Sequence, residues 1–101
     1  MNHPRKRIEI VVEQVQAETV TELLERLGAT GWTMLPVMAG RGRQGLRQGG
    51  VPGGVLDNVM IVAIVSAEVA IRVADARDEL LDARPAIISI SDCAVLRAEH
   101  F

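Results

Sequence analysis

The stretch AGRGRQGLRQGGVPGG, residues 39 to 54, holds the residue types and spacing most readily turned to chemistry. Gly40, Gly42 and Gly45 form a literal G-x-G-x-x-G, and Arg41, Arg43 and Arg47 lie among them. Glycine amides can form a nest for an anion, and a guanidinium grips a phosphate or a small planar anion with two parallel hydrogen bonds. A dinucleotide fingerprint would need a helix directly after its glycines, but more glycine and Pro52 follow here. A phosphate loop of the Walker type needs Gly-Lys-Ser/Thr, and the segment has no lysine. Arg-Gly loops also track nucleic-acid phosphates. Strands one and three, RIEIVVEQ and VMIVAIVS, offer no aromatic to stack a base, and the formal net charge of −2 gives no general pull toward a polyanion. The glycine spacing alone leaves a mobile connection and a ligand-gripping loop both open.

Elsewhere the candidate groups read as structural. Asp75, Asp78, Glu79 and Asp82 are interleaved with Arg72 and Arg77, the pattern of a solvated helix face and not of paired catalytic carboxylates. Ser89 and Ser91 lack a histidine partner, and His3 and His100 lack metal-ligand spacing. Cys93, the single cysteine, reads as a small buried hydrophobe. Trp32 reads on general grounds as a core or rim anchor before an adenine-stacking ring, and its neighbours Gly31 and Thr33 narrow that preference. No catalytic set emerges, so the expected role is not enzymatic.

The elements that must position these residues follow from periodicity. The chain of 101 residues has room for one domain, spanning 1–101. It is 49% hydrophobic but only 2% aromatic, so its core must be aliphatic. RIEIVVEQ alternates as a strand with one buried face. AETVTELLERLG places Val20, Leu23, Leu24 and Leu27 on one helical stripe, with Thr19 and Glu22 as a capping box and Gly28 as the stop. TMLPVMAG predicts a second strand, at an edge or bulged because of Pro36. The pattern is lost from Gly40 to Asn58 and returns in VMIVAIVS, a third strand ending at a helix cap, Ser66. AEVAIRVADARDELLDA predicts one amphipathic helix with Val69, Val73, Ala76 and Leu80 inward. AIISIS gives a fourth strand, and CAVLRAEHF is a candidate for a further short one.

The order β-α-β-β-α-β implies an α+β, ferredoxin-like domain with two helices on one face of a four-stranded antiparallel sheet. Val11, Val62 and Ile64 then fall on the uncovered face, where copies of the chain would bury them. The longest apolar run, Val59 to Val65, is too short to cross a bilayer, and the N-terminus lacks the pattern of a cleaved signal; a cytoplasmic location is expected, with no membrane insertion.

The segment GATGWTMLPVMAGRGRQG resembles the G-x-T-G-x-T…G-x-G-R-Q-K-G run that leads into the long T-loop of PII signalling proteins, and the element order over the whole chain is similar to theirs. The resemblance implies a homotrimer with adenine nucleotides in three intersubunit clefts and a T-loop at about residues 40–58. It places Gly40, Arg41, Gly42, Arg43 and Gln44 at the loop base around the phosphates, and Gly31, Trp32 and Thr33 of a neighbouring subunit at the adenine. Ile64 would line the base, Ala63 and Val65 would add backbone or apolar contact, and Arg97 matches the first of two C-terminal arginines that reach the phosphates.

Departures from the family pattern refine that expectation. The lysine after Arg43-Gln44 is missing, Glu99 replaces the second C-terminal arginine, and the glycine-rich B-loop with its lysine is reduced to ARPA. One residue more than the pattern stands between Thr33 and Gly40, so Arg41 is a substitute for either loop cation. With fewer cations toward the outer phosphates, AMP or ADP should rival or exceed ATP, because a charge-assisted contact is worth roughly 1.5–3 kcal/mol. The chain has no tyrosine to modify, and Asn58 stands where the family has a lysine used with 2-oxoglutarate.

This profile resembles the divergent PII-like proteins associated with carboxysomes and inorganic-carbon uptake. Bicarbonate is then a candidate co-ligand, with Arg41, Arg43 and Arg47 as its anion site, and a bicarbonate transporter or carboxysome-related protein a candidate target. Ordering a residue costs roughly 1–2 kcal/mol and a micromolar ligand supplies about 8 kcal/mol, so Leu46 to Val55 should stay mobile until a second ligand or a partner contributes. The alternatives are an oligomeric ferredoxin-like binding domain or enzyme with a glycine-rich lid and, further off, an Arg-Gly nucleic-acid binder.

Overall fold

The computed structural model describes residues 2–42, 45–48, 58–82, 87–99 and 101. Strand β1 (His3–Glu13) runs directly into helix α1 (Gln14–Arg26), followed by β2 (Thr33–Pro36), a ribbon of β3 (Ala39–Gly42) and β4 (Gly45–Gln48), then β5 (Asn58–Val65), α2 (Ala67–Asp75), α3 (Arg77–Asp82) and β6 (Ile87–Val95). The main sheet has the order β2-β5-β1-β6, antiparallel throughout, and β3 and β4 form a separate two-stranded sheet. This is the expected ferredoxin-like α+β order.

The alternation that marks the strands also divides the sheet faces. In β1, Ile8, Ile10 and Val12 are fully buried, and in β5 so is Ile61, with Val59, Ala63 and Val65 nearly so. They meet Ala17, Val20, Leu23 and Leu24 of α1 and Val69, Ala70, Val73 and Leu80 of α2 and α3 in one aliphatic core. Val11, Val62 and Ile64 lie on the opposite face and are half-buried, as the sequence predicts. Arg7 and Glu9 pair across that face at 3.5 Å.

Several boundaries differ from the sequence expectation. Helix α1 starts at Gln14, so Thr19 is an exposed mid-helix residue and not a cap. The buried stripe begins at Ala17, with Val20, Thr21 and Leu24 at helical spacing from it, and a small alanine and a threonine carry little periodic signal. The predicted second helix is two helices, because at Ala76 the backbone amide is shared between the Arg72 and Val73 carbonyls at 3.0 and 3.2 Å and the turn tightens. AIISIS and its continuation make one strand, β6, with no separate final strand among the described residues. Cys93 is half-buried on that edge strand, not a core residue.

The region expected to lack pattern begins as a ribbon, in which Gly40 faces Arg47 and Arg41 faces Leu46. Leu46 therefore lies in a strand. Its regularity is carried by backbone pairing among glycines, which no side-chain alternation reveals. Residues 49–55 of the expected mobile span lie outside the described residues, as do Arg43, Gln44, residues 56 and 57, His100 and the ARPA segment.

Other local expectations hold. Ser66 caps α2, its Oγ accepting from the Val69 amide at 3.2 Å. Gly28 ends α1 with φ +113°, and a Cβ there would meet an Arg72 guanidinium nitrogen at 3.0 Å and Val69 Cγ2 at 3.2 Å. The closeness has a purpose in the packing, since Arg72 Nε donates to the Leu27 carbonyl at 2.9 Å and ties α2 to the end of α1. Strand β2 is an edge strand ending at Pro36, and the Val37 amide extends its ladder to the Asn58 carbonyl at 3.0 Å.

Candidate functional site

A cavity of about 680 Å³ opens where β5 runs past the start of β2. Register explains it. Thr33 pairs with Val62, so the two residues before Thr33 fall alongside the end of β5, where β2 has not yet begun. Val62 and Ile64 present their open-face side chains there, and Thr30, Gly31, Trp32 and Thr33 form the side wall. The opposite wall comes from the other end of the chain, as Glu99 and Phe101.

Each wall is held by a specific contact. The Trp32 indole is 38% exposed, and its Nε1 donates to Glu25 Oε1 at 3.0 Å, which fixes the ring against the end of α1. Gly31 has open space where a Cβ would stand, so the wall beside the indole is unobstructed. After β6 the chain turns, with the Phe101 amide bonded to the Ala98 carbonyl at 3.2 Å. It crosses the start of β1, where Arg5 Nε donates to the Phe101 carbonyl at 3.2 Å. Arg97 Nε and Glu99 Oε1 are 3.3 Å apart, an ion pair at the cavity rim.

Among the residues expected at a nucleotide, Gly31, Trp32, Thr33 and Ile64 are brought together in one cavity of one chain. Ala63 and Val65 have side chains only 2% exposed and directed into the core, so any contact there would be through the backbone. Arg97 is not among the lining residues, but it pairs with Glu99, which is. Gly40, Arg41 and Gly42 belong to the β3–β4 ribbon, outside the cavity lining, and Arg47 lies in β4. Arg43 and Gln44 lie outside the described residues.

Sequence reading missed Thr30 and Phe101 as lining residues, placed Val62 only on the open sheet face, and saw Glu99 only as a lost cation. Thr30 could have been found from its place inside the G-x-T-G-x-T run. Phe101 had no sequence signal, because it reaches the cavity by a fold-back fixed by Arg5, a residue at the opposite end of the chain.

The arrangement can hold a flat, largely apolar group between an indole, a phenyl ring and two aliphatic side chains, with polar groups at the rim. Among the described residues, Glu99 is its only ionisable side chain.

The family model described as "Nitrogen regulatory protein P-II" matches residues 5–100. Among solved structures, CPII of Thiomonas intermedia K12, a nitrogen regulatory PII-like protein bound to ADP, AMP and bicarbonate, is 27% identical, with a TM-score of 0.82 over 96% of this chain and 92% of that one. A PII-like signaling protein of Thermus thermophilus is 30% identical, with a TM-score of 0.77 over 95% and 93%. GlnK of B. subtilis in complex with ATP, at 18% identity and a TM-score of 0.56 over 94% and 84%, shares the fold. No curated protein matches significantly.

Proposed function

The chain belongs to the nitrogen regulatory protein P-II family, and from that premise we propose that it is a cytoplasmic, non-catalytic sensor of adenine nucleotides. It works as a homotrimer of single domains, 1–101, that join through the open sheet face bearing Val11, Val62 and Ile64. Adenine sits in the cavity of Gly31, Trp32, Thr33 and Ile64, flanked by the backbone of Ala63 and Val65. The phosphates lie toward Arg97 and toward Gly40, Arg41, Gly42, Arg43 and Gln44 of a neighbouring subunit.

The observation that carries this reading is the cavity itself. Register leaves an unobstructed apolar slot beside a hydrogen-bonded indole, on the sheet face that remains open. Its size suits a nucleoside. The CPII relative bound to ADP, AMP and bicarbonate supports the ligand class.

AMP and ADP are the preferred ligands over ATP, because Glu99 and the shortened ARPA segment remove phosphate-facing cations. Bicarbonate is the co-ligand, held by Arg41, Arg43 and Arg47, and raises nucleotide affinity. The loop from about 40 to 58 reports occupancy to a protein target in inorganic-carbon metabolism, such as a bicarbonate transporter or a carboxysome-related protein.

A thermal-shift panel with AMP, ADP, ATP and cyclic AMP, each with and without bicarbonate, tests the reading. A ligand bound only by the folded state raises its stability by mass action, by about 2.7 kcal/mol at a hundredfold excess over Kd. AMP and ADP should raise Tm most, and bicarbonate should increase the rise. Failure of every adenylate to move Tm would overturn the proposal, and light scattering at the monomer mass would remove the shared cleft.

A further inference from the structure

Glu99 does more than leave a cation out. Glu99 lines the cavity and its carboxylate lies 3.3 Å from Arg97 Nε, so a cation paired to a lining residue is already engaged by an acid of that wall. Both side chains are well exposed, Arg97 at 73% and Glu99 at 60%, and their mutual attraction is weak enough for a ligand to break. A phosphate that recruits Arg97 displaces Glu99 or shares the guanidinium with it, and in either case lies beside a negative charge.

We propose that Glu99 is a specificity-determining residue that sets the phosphate number of the bound nucleotide. This rests on the reading of the cavity as an adenylate site. Each added phosphate brings more negative charge to the rim, and the repulsion from a fixed carboxylate grows with it. The same carboxylate withholds Arg97 from competing phosphates, so the two effects act in one direction. AMP is penalised least and ATP most. A neutral amide of the same shape would neither repel nor hold the guanidinium as an ion pair, while leaving the wall of the cavity filled.

Isothermal titration of AMP, ADP and ATP into the wild-type protein, Glu99→Gln, Arg97→Ala and the double variant separates these effects. In Glu99→Gln the ATP affinity should rise about tenfold, ADP about threefold and AMP less than about twofold. In the Arg97→Ala background the same change should still favour ATP, but by a smaller factor, since only the repulsion remains to be relieved. Circular dichroism and unliganded Tm should be unchanged, as expected for exposed positions. Equal changes for all three nucleotides, or no change, in a protein that still binds them would overturn the role of Glu99 and leave the adenylate reading standing. A wild-type protein that binds none of the three would overturn both.

Discussion

The cavity wall and the β3–β4 ribbon, joined by only Val37 and Met38, are built by different physics. The wall rests on the main sheet, with Thr33 registered on Val62 and with buried Ile61 one position earlier in β5. Pairing to a strand whose other face is packed into the core therefore fixes its geometry before any ligand arrives. The ribbon has its pairing within itself, and Ala39, Gly40 and Arg41 are all exposed. Backbone hydrogen bonds give it form, but an isolated two-stranded ribbon is marginal in water. The difference teaches where each kind of recognition would belong under the proposed function: the side assigned to the base is preorganised, whereas the ribbon assigned to the phosphates would take its order from what it binds.

The largest expected effect would break this contrast at its root. Ile61→Ala removes a fully buried side chain under the wall and should cost about 2–5 kcal/mol in chemical denaturation. Gly40→Ala in the ribbon, with open space around the site, should stay within about 0.5 kcal/mol of wild type. Comparable losses from the two would end the distinction. Gly28→Ala comes next, with an expected loss of about 1–3 kcal/mol, because an L residue is strained at φ +113° and its Cβ would press on Arg72 and Val69. A much smaller loss would mean that α1 ends less rigidly than its link to Arg72 implies.

Trp32→Ala sharpens the comparison from the ligand side. Loss of the ring should weaken AMP and ADP about tenfold, or about 1.4 kcal/mol, in calorimetric titration. Tm without ligand should barely move, because the indole is a partly exposed wall and not core. A large fall in unliganded Tm would reassign it to folding.

The smallest effect concerns Asp92 and Lys6, which face each other across β6 and β1 and form a close ion pair. Hydrogen bonding to Lys6, and then its charge, hold the Asp92 carboxyl below its ordinary value. A depressed folded-state value means that the pair stabilises above the ordinary carboxylate range and is lost as pH falls through the lowered value. Asp92→Asn should remove that slight acid dependence in Tm measured against pH, and leave nucleotide binding unchanged. An identical acid profile in wild type and variant would contradict it.

How much was legible in the sequence follows the same division. Alternation in RIEIVVEQ and VMIVAIVS located the central strands and named the open-face residues, since a buried face imposes a period of two. Ser66 and Gly28 announced helix ends because capping requires their chemistry locally. Ala76 announced nothing, for no glycine or proline marks the break between α2 and α3. The ribbon was illegible because its bonds run between backbones. In the site, Gly31, Trp32 and Thr33 could be read as a local run, and Ile64 through the family resemblance. Phe101 could not, because its place depends on an arginine near the opposite end of the chain.

The indole that Glu25 holds at the cavity wall is also the only tryptophan, in a chain with no tyrosine. Emission excited at its absorption edge therefore comes from one point, on the rim of the candidate site. Any ligand that stacks there, or any loop or partner that closes over it, would change the colour and intensity of a fluorophore already in place. The molecule carries its own optical gauge of occupancy, readable without a label.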